Sequence, residues 1–461
     1  MTWNLFWHQF FLNPQIPASQ WYIDLLRIIV RVLIPVLFIL IIVPGLVWFE
    51  RRLLGWMQQR QGPNRVGPFG LLQTIADGVK LLMKEDIIPT HVDKTLYIAA
   101  PIVMLIPALV TGGVIPWNPS STWGAGAPNV NVGILYILAW ASLGVYGVVL
   151  AGWSSNNKYS LLGGLRSSAQ MVSYELGMGL AIITVVLMSS SLSPPDIVKD
   201  QSATWFGFIE QWHVWQFFPI GFVAMLIYCI AMLAETNRAP FDLPEAETEL
   251  VAGYHTEYTS MKFAIFFMGE YANMMVVSAI ISTLFFGGYL APFSFLDHLP
   301  SSLPNTLPVE IINAIIPAFW LVLKIVGFLY FFIWIRATLP RLRYDQLMEF
   351  GWKGILPIAL LNVLCAAIAT MNYWIGLIVW IVLAVAILMI AASTRATKQF
   401  TAKTHTDRRV RLVSTVQPFS AVAEHAGRGG QTLPPQALAA GLVATNEPEA
   451  DALNREEEQV R

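Results

Sequence analysis

The sequence predicts an all-α, polytopic membrane helix bundle, and three observations carry that expectation. First, 56% of the 461 residues are apolar and only 12% are charged, about half the ~25% charge of a soluble chain. Second, residues 95–157 hold no Asp, Glu, Lys or Arg across 63 positions, and residues 354–394 hold none across 41. A spanning helix takes about 20 apolar residues, so each run has room for two. Third, the apolar runs are continuous rather than alternating, which excludes a barrel pattern.

Windows of about 19 residues place helices near 25–49, 96–117, 132–153, 169–190, 215–234, 261–290, 309–335, 354–371 and 373–393. Met371-Asn372-Tyr373 interrupts the last apolar run. Reading it as a break gives nine transmembrane helices, and reading through it gives eight. Loop cations orient them. Arg51, Arg52, Arg60, Arg65, Lys80, Lys84, Lys94, Lys158, Arg166, Arg238, Arg336, Arg341, Arg343 and Lys353 fall on one side, and only Lys199 falls on the other. Basic loops stay cytoplasmic, so the expected N-terminus is outside and the C-terminus cytoplasmic. Arg27 and Arg31, at the outer end of the first helix, oppose the rule; they either snorkel to the headgroups or line a polar chamber. No basic signal-peptide region or Arg-rich transit pattern precedes Arg27, so the first helix is expected to do its own targeting.

Residues 1–394 thus form the membrane domain. Residues 395–461 carry nine Lys/Arg and eight Asp/Glu and are broken by Gly427, Gly429, Gly430 and Pro434-Pro435. Such a stretch buries too little apolar surface to fold alone and reads as a largely disordered cytoplasmic tail. It is either a docking strap or a dispensable extension.

Several function classes fall away. A net charge of −1 gives no pull towards nucleic acid. Cys229 and Cys365 lie inside apolar runs, read as small core residues, and make no zinc or iron–sulfur set. His91, His213 and His255 are scattered among loops without metal spacing, and read as surface or polar-contact residues. Nucleotide loops, heme ligand pairs and nucleophile triads are missing, so the chain is not a stand-alone redox enzyme, and no metal or cofactor is expected on it. The sequence has no internal repeat, which weighs against inverted-repeat transporters.

In so charge-poor a chain the acids are informative, because an ionisable group in the bilayer costs at least ~2.5–3.5 kcal/mol. Glu50-Arg51-Arg52 ends the first predicted helix and, taken alone, reads as an interface stop. Residues 60–68, Arg-Gln-Gly-Pro-Asn-Arg-Val-Gly-Pro, favour a preset turn that aims Arg60 and Arg65. An anion site, a docking turn and a basic surface loop all suit it. From Gly70 to Lys84, Leu71, Leu72, Ile75, Val79, Leu82 and Met83 share one helical face, with Gln73, Asp77, Lys80 and Lys84 on the other. This interfacial amphipathic helix is either a float or one wall of an access slot for an amphiphilic substrate. Glu175, with Gly177 and Gly179 permitting close helix approach, is expected to face the bundle interior, as a proton carrier or as a neutral hydrogen-bonded carboxyl. Finally, Glu235, Asp242, Glu245, Glu247, Glu249, Glu257 and Glu270 place seven carboxyls in 36 residues against only Arg238 and Lys262. In a helical turn Glu245 and Glu249 would share a face, where like charges repel and a proton is retained between them. A solvated loop is the alternative, but Pro240 and Pro244 stiffen it.

At the level of residues alone, the chain either moves cations itself or serves as the proton-conducting part of something larger. The strings Glu50-Arg51-Arg52, Gly62-Pro63-Asn64-Arg65-Val66-Gly67, Ala76-Asp77-Gly78, Lys84-Glu85-Asp86, the eleven residues from Glu235 to Glu245, and Met261-Lys262-Phe263 together resemble the H subunit of bacterial respiratory complex I and its mitochondrial counterpart, NADH dehydrogenase subunit 1. The resemblance covers roughly residues 20–393. It implies a multi-pass component of NADH-quinone oxidoreductase in the bacterial inner membrane. Its substrate would be a quinone entering from the lipid bilayer. FMN and iron–sulfur clusters would be held by partner subunits. Partners would be the hydrophilic quinone-site subunits and the neighbouring membrane subunits.

By the same resemblance, Glu50, Arg51, Arg52, Arg60, Arg65, Asp77, Lys80 and Arg238 would line or flank the quinone chamber. Glu235, Asp242, Glu245, Glu247 and Glu249 would form the acidic loop facing it. Glu175, with Glu257 and Glu270, would belong to the proton path. The rivals are the membrane anchor of a nickel–iron hydrogenase-type complex and a free-standing cation transporter. The Gly62-Pro63-Asn64-Arg65 turn and the intact acidic string favour the quinone enzyme.

Overall fold

The computed structural model describes residues 21–117, 130–205, 209–242, 252–293, 307–386 and 389. Helix α1, Trp21–Met57, is followed by a 3-10 turn at Pro68–Gly70 and by α2, Gln73–Met83. Then come α3 (Lys94–Gly112), α4 (Gly133–Ser154), α5 (Lys158–Ser189) and the short α6 (Pro194–Asp200). A two-residue antiparallel pair, Thr204–Trp205 with Ile209–Glu210, registers Thr204 opposite Glu210. The chain continues through α7 (His213–Gln216), α8 (Ile220–Glu235), a 3-10 turn at Gly253–His255, α9 (Ser260–Phe285) and α10 (Leu307–Thr338). It then enters α11 (Tyr344–Glu349), which runs through a π-helical turn at Phe350–Ile355 into α12 (Leu356–Met371), and ends in α13 (Tyr373–Ala386).

Among the described residues seven helices are long and apolar enough to cross a membrane, and α8 and α13 are shorter apolar helices. They fall at the nine expected positions. Prolines 35, 44, 101, 107 and 317 sit inside them, as helices packed in a bilayer tolerate. The break between α12 and α13 is physical. Asn372 is extended (φ −152°), and its side-chain oxygen accepts the Trp374 N–H at 3.1 Å, capping the next helix.

Three boundaries differ for identifiable reasons. Glu50-Arg51-Arg52 does not end α1, which continues to Met57. The interface-stop reading is corrected, because Glu50 is 4% exposed and paired inside the bundle. Helix α5 begins eleven residues before the expected 169: the Asn157 side chain caps it by accepting the Tyr159 N–H at 3.0 Å. Lys158 and Arg166, expected in a loop, are therefore helical. Helix α8 starts at Ile220, its expected first turn being taken by α7.

Helix α9 is the hub. Of its apolar window 72% is buried, against 28–50% for the other six spans, which present their remaining faces outward. Its residues pack with α1, α5, α8 and α10 in one core containing Ile39, Tyr174, Tyr228, Met275 and Leu321. Helices α4 and α5 approach so closely that Gly152 and Gly164 face each other; a Cβ on Gly152 would stand 3.2 Å from the Gly164 Cα. Cys229 and Cys365 are buried and unlinked, as core residues.

Met1–Leu383 is one compact unit and Ala384–Arg461 a second. Of the second, only 384–386 and 389 are described. The expected tail, 395–461, lies outside the described residues, as do the side chains of Arg27 and Arg31.

Candidate functional site

The C-terminal ends of α1, α8 and α10 and the N-terminal half of α9 hold a chain of alternating charges. Glu50, turned inward from α1, accepts a hydrogen bond from the Tyr271 hydroxyl of α9 at 2.8 Å, meets Arg238 at 3.3 Å, and is paired with Arg336 of α10. Arg238 follows α8 and sets its Nε 2.6 Å from Glu270 Oε1, with its guanidinium 4.3 Å from the centre of the Tyr271 ring. Asp242 extends the series through Arg341 at 3.4 Å. Glu50, Arg238 and Glu270 are each less than 8% exposed. Burial would strip Arg238 of its charge, but the Glu270 and Glu50 carboxylates hold it protonated, its pKa raised well above the ordinary arginine value.

The segment carrying Arg238 is fastened from α5. Gln170, fully buried, donates to the Ala234 and Phe241 carbonyls at 2.8 Å each, while Asn237 donates to Ser167 at 2.9 Å. Asn237 itself takes a left-handed conformation (φ 49°), where asparagine is tolerated. Across the same interface α5 presents Glu175, half-buried and bonded to the Ser142 hydroxyl of α4. Glu235, 5% exposed, is the carboxyl that bears on it electrostatically. Glu175 faces inward as expected; a Cβ on Gly177 would stand 3.0 Å from the Ile355 side chain of the π turn, whereas one on Gly179 would meet nothing within 4 Å, so only Gly177 marks a close approach.

The remaining expected residues divide into three groups. Asp77 pairs with Arg51 at 2.5 Å and accepts from Gln73 at 3.2 Å, with Lys80 3.9 Å away, so the polar face of α2 is fastened to α1. Partial burial alone would raise the Asp77 pKa, but the Arg51 hydrogen bond and charge outweigh it and hold the carboxyl below its usual value. Arg52 lies over Trp48, Trp56 and Phe69 at 5.3–5.6 Å and donates to the Phe69 carbonyl at 2.7 Å, fixing the turn that carries Arg60 and Arg65, which are both exposed. Glu257 stands apart from the arginine network, bonded to Asn157 at 2.6 Å. Glu245, Glu247 and Glu249 lie outside the described residues.

His213, 0% exposed, is a polar-contact residue with its Nδ1 2.7 Å from Gln216 Oε1, whereas the reading of His255 is corrected: at 9% exposed it is not a surface residue. His255 is packed edge-on against Tyr254, Phe263 and Phe267, and burial lowers its pKa to about 4. Sequence reasoning missed Gln170, Tyr271, Ser142 and Lys324. Each is a polar or hydroxyl-bearing side chain inside an apolar window, the same signal that marks the acids. Lys324 donates to the Phe286, Gly288 and Leu290 carbonyls at 2.5–2.9 Å, closing the far end of α9. Among the described residues no three His, Cys, Asp or Glu side chains gather as a metal would need.

Fold and site together define a multi-pass membrane component whose buried acids are compensated by arginines at one membrane face. A family model described as NADH dehydrogenase matches residues 30–367. The NADH-quinone oxidoreductase H subunit 2 of Koribacter versatilis is 48% identical over 359 residues, covering 75% of this chain and 97% of that protein. The NADH-quinone oxidoreductase H subunit of Rickettsia prowazekii is 52% identical over 338 residues, covering 73% and 90%. The chain belongs to this family: it is an H subunit of NADH-quinone oxidoreductase, respiratory complex I.

Proposed function

We propose that the chain forms the membrane side of a quinone chamber with the hydrophilic arm of its complex, and couples quinone reduction to proton translocation through its buried acids. The observation that carries this reading is Arg238, held between Glu50 and Glu270 at the end of the α8 segment that also bears Glu235. A charge arriving near Glu50 is felt through Arg238 at Glu270, and along α8 at Glu235, which bears on Glu175 of α5. FMN and iron–sulfur clusters belong to partner subunits and supply the electrons. The chain's own residues do the rest. Arg51, Arg52, Asp77 and Lys80 position α2 and the 60–65 turn beside the chamber, where Arg60 and Arg65 face the hydrophilic arm.

Reduction of a quinone to a quinol takes two electrons and two protons, so it leaves the chamber walls short of protons. Glu50, Arg238, Glu270 and Asp242 respond as one network. Glu235, Glu175 and the acids at 245, 247 and 249 carry the response towards neighbouring membrane subunits, with Glu257 at the rim. Moving one charge across the membrane costs about 2.3 kcal/mol per 100 mV, so the relay is gated rather than open. The basic loops support a cytoplasmic position for this face, with the N-terminus outside.

The test is purification of the tagged complex in mild detergent, with NADH-driven and hydrogen-driven quinone reduction measured for wild type and Glu175→Gln. The expected result is NADH-driven activity, with coupled turnover lowered in the variant at unchanged assembly. Wild-type rates and pumping in Glu175→Gln would overturn the proton-path assignment. Hydrogen-driven activity without NADH activity would move the chain to a hydrogenase-type complex.

A further inference from the structure

A pocket of about 430 Å³ opens where α3 begins, α4 ends and α5 begins, lined by His91, Asp93, Trp153, Asn156, Asn157 and Lys158. No residue of the arginine network is among its walls. The walls are tied to one another. The Asp93 N–H donates to the Ser154 carbonyl at 3.2 Å, and the Asn156 side chain donates to the His91 carbonyl at 3.1 Å. Asn157 donates to Glu257 at 2.6 Å while it caps α5, and Asn156 takes the left-handed conformation (φ 47°) that turns the chain from α4 into α5.

The charged groups of the lining are left unused. Among the described residues, the side chains of Lys158 and Asp93 have no hydrogen bond or ion pair, and they do not pair with each other. The His91 ring and the Trp153 indole N–H are likewise without partners. A cation and an anion attract, so two that share one concave surface without meeting leave room for a group carrying both complementary charges. The level of the pocket identifies the source of that group. The three spans that meet here terminate at Lys94, Ser154 and Lys158, which is where hydrocarbon gives way to headgroups. Trp153 is exposed beside the opening, as indoles are at that level. Exposed apolar side chains continue along α3 at Ile98, Ile102 and Ile106, and along α4 at Tyr146 and Leu143, offering a surface to acyl chains.

We propose that this pocket seats the headgroup of a phospholipid that carries both a phosphate and a primary amine, of the phosphatidylethanolamine type. Lys158 holds the phosphate, helped by the partial positive charge at the N-terminus of α5. Asp93 holds the ammonium. A headgroup without an amine leaves Asp93 unpaired, and a quaternary amine has no N–H to donate to it. A lipid bound in this way clamps three spans together at one leaflet. The inference is independent of the proton-path reading.

The test uses the whole complex in phosphatidylcholine nanodiscs containing a trace of phosphatidylethanolamine with a photoactivatable group near its glycerol. Labelled peptides are mapped by mass spectrometry. Labelling is expected within residues 91–98 and 146–161, displaced by unlabelled phosphatidylethanolamine and not by the same amount of phosphatidylglycerol. Asp93→Asn and Lys158→Ala should each lower it about tenfold, as the loss of one charged hydrogen bond does. Lys199→Ala, at the other end of α5, should leave it unchanged. Labelling that both lipids displace equally, or that neither variant lowers, would overturn the proposal and mean an unselective lipid shell. Displacement by free phosphoethanolamine as readily as by the lipid would overturn it in favour of a soluble ligand. Absence of labelling, with these peptides cross-linked to a neighbouring subunit instead, would make the pocket a protein interface and also overturn it. The displacement series needs no variant, so it decides even if a variant fails to assemble.

Discussion

Arg238 Nε and Glu270 Oε1 stand 2.6 Å apart, both side chains less than 10% exposed, and Glu50 meets the same guanidinium at 3.3 Å. A buried charge pair adds little net stability over a well-packed apolar pair, but removing one partner leaves the other uncompensated, at about 3–5 kcal/mol. Arg238→Gln is therefore expected to lower the thermal midpoint and the yield of assembled complex far more than Arg336→Gln, whose side chain is 40% exposed. Thermal unfolding of the two variants in one detergent checks the order. Equal losses would mean that Arg238 is not the keystone.

The Asp77 carboxyl is held below its ordinary value by Arg51. A depressed acid contributes stability above its unfolded pKa, near 3.8, and loses it only as pH falls through the lower folded value. The attachment of α2 to α1 is thus expected to be constant from pH 8 to about pH 5. Asp77→Asn should loosen it at every pH. The mobility of a spin label at Lys84→Cys reads both outcomes, and a loosening near neutral pH in the wild type would contradict the assignment.

His255 has the opposite chemistry and the same sign. Its folded pKa of about 4 lies below the ordinary histidine value of 6.5, so protonation favours unfolding. Its contribution is complete above pH 6.5 and is lost as pH falls towards 4, by roughly 3 kcal/mol in all. His255→Leu should flatten the dependence of the thermal midpoint between pH 7 and pH 5. An unchanged slope would place the titrating group elsewhere.

Ser142 donates to Glu175. An intramolecular hydrogen bond contributes about 0.5–1.5 kcal/mol net, so Ser142→Ala should slow coupled turnover, and by less than Glu175→Gln, since the carboxyl remains. Steady-state rates with and without a protonophore separate this from an assembly defect.

Lys324 serves three carbonyls at the far end of α9. Lys324→Met keeps the length of the side chain and removes its donors, and should destabilise by about 1–3 kcal/mol for the acceptors left unmet. A thermal midpoint equal to wild type would show that water replaces the ammonium.

The spans are legible in the sequence because hydropathy reads a bilayer crossing directly, and the Asn372 break because a polar cap interrupts a run. The inward turn of Glu50 is not. A charge triplet at a helix exit has the same composition whether it meets headgroups or a buried arginine, and Arg238 is 188 residues away in the chain. The eleven-residue extension of α5 is hidden for a related reason: it depends on the Asn157 cap and on the packing of Gly163 against Gly253, which a hydropathy window does not sense. Of the candidate site, the acids are legible from their cost in a membrane. Gln170, Ser142 and Lys324 also carry a burial cost, but their partners are backbone carbonyls and a carboxylate on other helices, which no local pattern marks. His255 misleads because its position in a loop suggests solvent, whereas its neighbours in space are aromatic rings.

The network joining α1, α8, α9 and α10 contains Glu50, Glu270 and Asp242 against Arg238, Arg336 and Arg341. With all three carboxyls ionised, its formal charge is zero. A neutral body feels almost no force from the transmembrane voltage, whereas each unbalanced charge would feel about 2.3 kcal/mol per 100 mV across the full membrane. The bundle can therefore shift these side chains in an energised membrane without working against the field. Only when one carboxyl takes up a proton does the assembly become a cation that the voltage can push, so that the membrane's own electrical load acts on the protonated state and leaves the fully ionised one alone.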